Sequence, residues 1–168
     1  MTDHGALLLA IAQISIAFAG FSGVIAAFSK FRLHQDVTVF RVRLMVGASL
    51  SGLLFSLLPF VPMQYGASET VSWRIAAGFM AATGFVFPFV ALGTARKLYK
   101  AGLIRTQAFS AFTNVGSTII TLSLAAVAAG FLKQYAAAIY VTSLYFTLIL
   151  CSFYFLMQML AIDLDKSE

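Results

Sequence analysis

The sequence is poor in charge, in acids and in cysteine. Only 10% of its 168 residues are Asp, Glu, Lys or Arg, against 61% hydrophobic, where a soluble domain is about a quarter charged. A mean hydropathy of +0.93 agrees, and together these values specify an integral membrane protein. The single cysteine, Cys151, lies in an apolar run and excludes an intrachain disulfide. All six acids (Asp3, Asp36, Glu69, Asp163, Asp165, Glu168) and both histidines fall outside the apolar segments. A membrane protease or lipid-modifying enzyme needs a nucleophile with a base, or a metal with its ligands. Ser and Thr abound, yet no apolar segment supplies an activating His, Lys or carboxylate. No enzyme and no cofactor are therefore expected. Intramembrane haem ligation and a buried carboxylate proton relay are disfavoured on the same ground. The lone loop His34 has no companion ligands at metal spacing.

What the chain does have is apolar length. Five segments can each cross a bilayer, and the sequence predicts an all-α bundle of five transmembrane helices in one domain over 1–168. They run about 5–29, 42–62, 75–95, 107–132 and 136–162, and nothing is left for a separate soluble domain. Ala17-Phe18-Ala19 imitates a signal-peptide cleavage site, but Met1–His4 carries no Lys or Arg and the apolar run continues to Phe28, so the first helix is expected to be retained.

The basic residues are unevenly placed. Lys30, Arg32, Arg41 and Arg43 fill one connection, and Arg96, Lys97, Lys100 and Arg105 another. With Lys166 these make nine of eleven cations on one side, leaving Arg74 and Lys133 opposite. The positive-inside rule then puts the N-terminus outside and the C-terminus in the cytoplasm, probing most simply as a bacterial inner-membrane topology. The net charge of +5 reads as contact between these eight loop cations and anionic lipid headgroups, not as nucleic-acid binding. Tyr65, Trp73 and Tyr135 are expected to form an outer aromatic belt.

Within the segments, small and polar residues mark faces. In the first, Ala12, Ala19, Gly23 and Ala27 form a small-residue track suited to close helix packing. Gln13 shares another side with Ala6, Ala10, Ala17 and Gly20. In the second, Ser49, Gly52 and Ser56 coincide, and Pro59 and Pro62 end or kink the helix. In the third, Ala77, Ala81, Gly84, Pro88, Ala91 and Ala95 form a stripe, with a bend expected at Pro88.

The fourth segment carries the densest polar face: Thr106, Gln107, Ser110, Thr113, Asn114, Ser117 and Thr121, opposite Phe109, Phe112, Ile119 and Leu122. The fifth offers Tyr140, Ser143, Thr147, Cys151, Tyr154 and Gln158. An antiparallel hairpin turning near Lys133 pairs residues whose numbers sum to about 265, matching Gln107 with Gln158, Ser110 with Tyr154, Asn114 with Cys151, Ser117 with Thr147 and Thr121 with Ser143. Mutual hydrogen bonding between the two faces is the expectation. Functionally, the sequence points to a membrane scaffold or subunit that binds a partner within the bilayer. The alternative is a homo-oligomeric pore lined by neutral polar residues of the fourth helix. Gln13 is a candidate contact in either case.

Overall fold

A computed structural model describes residues 2–28, 35–100 and 107–164, with side chains over 4–25, 42–86 and 114–156. The chain is all-helical, with no strand among the described residues. Five long helices, α1 (Thr2–Phe28), α2 (Gln35–Leu57), α4 (Glu69–Lys100), α5 (Gln107–Ala129) and α6 (Ala136–Leu164), are joined by a five-residue α3 (Phe60–Gln64) and a 3-10 turn (Lys133–Tyr135). Among the described residues, three stretches are long and apolar enough to cross a membrane: His4–Ile25, Val42–Gln64 and Lys133–Leu156. The apolar part of α5, Asn114–Ala129, is shorter.

The helix ends follow from local chemistry. Pro59 has no N–H to offer the Phe55 carbonyl, and Pro62 none for Leu58, so the long helix gives way to a turn and a short α3. The Leu58 carbonyl accepts from Val61 N–H instead, at 3.2 Å. Both α3 and α5 stop at a glycine with positive φ, Gly66 (81°) and Gly130 (90°). In each case the next amide reaches back five residues (Ala67 to Pro62, Phe131 to Ala126) and the glycine amide reaches back three, which is the Schellman termination. The helical assignment of α4 continues unbroken past Pro88 to Lys100.

Neighbours in the bundle are identified by close approach. The α1–α2 pair crosses where Ser15 meets Gly52, α4–α5 where Gly84 meets Thr121 and Gly78 meets Ala128, and α5–α6 where Gly116 meets Phe146. α6 lies along α2 through Tyr140–Phe55 and Cys151–Ser49, and against α1 through Phe155, whose ring meets Phe18 and Phe21. These pairings run antiparallel for α1–α2, α4–α5, α5–α6 and α2–α6. The start of α1, the α2–α4 connection and the α5–α6 connection therefore share one end of the bundle. His4, whose ring stacks edge-on against Trp73 at 6.0 Å, is at that end.

The interior is filled. Leu8, Ile11, Trp73, Ala77, Leu124, Val127, Tyr140 and Leu144 form one continuous cluster, and Ile25, Val42 and Met45 a smaller one. The outer surface is apolar as well: Leu9, Ile16, Phe21, Leu54, Phe79, Val86, Ile119, Leu122 and Ile149 are all exposed.

Candidate functional site

The polar side chains inside the bundle mostly bond to backbone close by. Ser49 donates to Met45 O at 2.7 Å, Ser143 to Ile139 O at 2.7 Å and Thr147 to Ser143 O at 3.1 Å. These are back-bonds to the preceding helical turn, which satisfy a hydroxyl in an apolar interior without a partner helix.

This changes the expected pairing of α5 with α6. The two helices are antiparallel neighbours, but a glycine and a phenylalanine ring, Gly116 and Phe146, fill their close approach. Thr121, only 5% exposed, lies against Gly84 of α4. Cys151 Sγ is 3.7 Å from Ser49 Oγ of α2. Thr121 of the α5 face thus packs on α4, and Tyr140 and Cys151 of the α6 face turn toward α2. Asn114 and Ser117 are half-buried and Tyr154 also. Gln107, Ser110, Thr113 and Gln158, with the pairs built on them, lie outside the described side chains, as do Lys30, Arg32, Arg41, Arg96, Lys97, Lys100 and Arg105. Arg43, the remaining loop cation, is exposed on α2.

The expected faces of α2 and α4 appear where side chains are described, which leaves out Pro88, Ala91 and Ala95. Ser49, Gly52 and Ser56 are all buried, as are Ala77 and Ala81. On α1 the expected track is met in part: Ala12 is buried and Ala19 half-buried, while Gly23 is exposed and Ala27 lies outside the described side chains. Leu8, Ile11, Ala12, Ser15, Ser22 and Ile25 face inward. Gly23, expected in the packing track, has open space where a Cβ would stand. The tight crossing uses Ser15 instead, whose hydroxyl is buried with no hydrogen-bond partner and sits against Gly52.

The outward side of α1 is the unusual surface. Ala6, Ala10, Gln13, Ala17 and Gly20 are all exposed, and at about 100° per residue they fall in one strip. Leu9 and Ile16 border it on one side, Ile14 and Phe21 on the other, each exposed. Gln13 stands near the middle of the 22-residue apolar stretch His4–Ile25, and its amide has no hydrogen bond to another described residue.

Three contacts were not anticipated from the sequence. Tyr140, fully buried, donates its hydroxyl to Phe55 O at 2.6 Å, the carbonyl that Pro59 deprives of a helical donor. The signal was present, since a proline four residues on always frees that carbonyl, but its partner is 85 positions away. Trp73 is not a belt residue: at 4% exposure it belongs to the core, packed on Tyr140 at 5.5 Å with its indole N–H 3.3 Å from Glu69 Oε1. Tyr65 and Tyr135 are exposed, as a belt requires. Arg74 caps α5, donating from Nε and Nη2 to Ala128 O at 3.2 and 3.1 Å. Among the described residues no three His, Cys, Asp or Glu side chains come together. No protein-family model matches the chain, and no curated protein or solved structure shows significant similarity to it.

Proposed function

We propose that this protein is a non-catalytic membrane subunit that binds a transmembrane helix of a partner along the outer strip of α1. One observation carries the reading: an amide that bonds no other described residue, Gln13, exposed at mid-span on a strip otherwise made of Ala and Gly. In hydrocarbon an unbonded amide is costly. A second helix meeting small residues can come close enough to supply the missing bond. The burial of Thr121 against α4 favours this reading over a pore lined by α5.

The reading includes five membrane crossings with the N-terminus outside, in a cytoplasmic membrane of bacterial type. The Lys30–Arg43 and Arg96–Arg105 cations then lie on the cytoplasmic side against anionic headgroups. Its support is the nine-to-two division of cations and the alternation of helix ends. Reporter fusions at each terminus test it: activity of a cytoplasmic reporter at the C-terminus is expected, and the same activity at the N-terminus would overturn the orientation.

The α1 contact is tested by cysteine crosslinking in native membranes, in a Cys151→Ala background. Ala10→Cys and Ala17→Cys should give adducts, and Leu54→Cys, on an exposed site of α2, should not. Adding Gln13→Leu should lower adduct formation by about threefold to thirtyfold, the factor for one interhelical hydrogen bond of roughly 0.6–2 kcal/mol. An adduct of twice the 18.1 kDa chain mass identifies a second copy as the partner, and any other mass a different protein. Equal yields at Ala10, Ala17 and Leu54 would sink the proposal.

A further inference from the structure

The two cations on the sparsely charged end converge on one point. Arg74 Nη2 and Lys133 Cε each lie 3.2 Å from the position a Gly130 Cβ would occupy. They come from different elements, α4 and the 3-10 turn, and the missing side chain of Gly130 lets both approach. Two of the five Arg74 N–H groups bond Ala128 O, which leaves donors for a ligand. A carbonyl does not neutralise a guanidinium. Among the described residues neither cation pairs with a carboxylate, and Glu69, the acid at the start of α4, accepts from Trp73. Beside Arg74 opens a groove of about 510 Å³, with Ile75, Gly78, Phe79, Ala82 and Ala128 in its walls. From Arg74 to Ala82 it follows α4 for about 12 Å toward the middle of the bundle.

We propose that Arg74 and Lys133 bind the phosphate of an anionic phospholipid, whose acyl chain lies in the α4–α5 groove. Charge complementarity selects the headgroup, because a phosphate reaches both cations through charge-assisted bonds of about 2.7–2.9 Å. The apolar walls select a lipid over free phosphate, which has nothing to place there. The site is separate from the basic loops at the opposite end and from the α1 strip. It rests on the membrane placement proposed above but not on the α1 partner.

Val71 lines the groove and is exposed, so Val71→Trp places a reporter there, while Trp73, the chain's own tryptophan, is buried in the core and stays a constant background. With this full-length variant in phosphatidylcholine vesicles, dibrominated phosphatidylglycerol should quench the added fluorescence at a lower mole fraction than dibrominated phosphatidylcholine. Lys133→Gln, a change at an exposed side chain, should raise the phosphatidylglycerol fraction needed by about fivefold, the factor for roughly 1 kcal/mol per cation. Ala82→Phe fills the groove without touching either cation and should weaken quenching by both lipids. Inorganic phosphate should not shift the curves. Equal quenching by the two lipids, a Lys133→Gln curve that does not move, or competition by inorganic phosphate would each overturn the lipid site. Quenching by neither lipid at any fraction would overturn the membrane placement itself.

Discussion

Replacing Tyr140 by Phe should lower the unfolding free energy in detergent by about 1–2 kcal/mol, a large loss for one oxygen atom. The Phe55 carbonyl has no helical donor, because the residue four positions on is Pro59. Tyr140 supplies the bond from α6 at 2.6 Å, from a side chain with no exposure to solvent. Without the hydroxyl, that carbonyl keeps neither its helical nor its tertiary partner. Tyr140→Ala should cost about 3–5 kcal/mol, since the ring packed on Trp73 at 5.5 Å is lost too. The decisive control is Pro59→Ala. Pro59 already has helical angles, φ −61° and ψ −26°, so an alanine N–H there can bond the Phe55 carbonyl directly. In that background Tyr140→Phe should cost clearly less. Equal losses in both backgrounds, read from denaturant unfolding, would show that the hydroxyl acts elsewhere.

Gly84→Ala should destabilise the protein by about 1–3 kcal/mol through overpacking. The new methyl would stand 2.6 Å from Thr121 Oγ1 and 3.3 Å from its Cγ2. Rotating the β-branched side chain only exchanges one close atom for another. Thr121→Ala removes both, leaving Cβ at 3.5 Å, an ordinary contact. The double variant should therefore be more stable than the sum of its single losses, a coupling expected only for residues in contact. Additive losses would mean that Thr121 does not face α4, and would reopen its pairing with Ser143.

That pairing shows where sequence reasoning stops. Hydropathy periodicity places a residue on a side of its helix, and it placed Thr121, Ser49, Gly52, Ser56, Ala77 and Ala81 on inward sides. It also placed Ile119 and Leu122 outside. It does not say which helix stands opposite. Two polar faces in compatible register look like a zipper, but a serine or threonine hydroxyl is satisfied by its own preceding turn. Ser143 and Thr147 are bonded in that way, so their positions hold no information about a neighbour. The α1 track was right at Ala12, which is buried, and missed at Gly23 for a related reason. Two sides of that helix are rich in small residues, and the buried one was decided by Ser15 fitting Gly52. Trp73 was read by its place at a helix start, where tryptophans often face the interface, while its burial depends on Tyr140 and His4 from distant segments.

The sequence by itself determined the helical class, the five long helices, the proline break after α2 and the separation of the cations. These follow from apolar length, missing N–H groups and charge count, which are properties of single segments. Only the tertiary structure decided that α5 packs its buried threonine on α4, that Tyr140 completes the broken end of α2, that Arg74 and Lys133 meet over Gly130, and that Gln13 is left facing outward. The first three join residues from different elements, and the last follows from how α1 packs. The choice among possible neighbours rests on the fit of small residues to bulky ones across the whole bundle, and no segment carries that information alone.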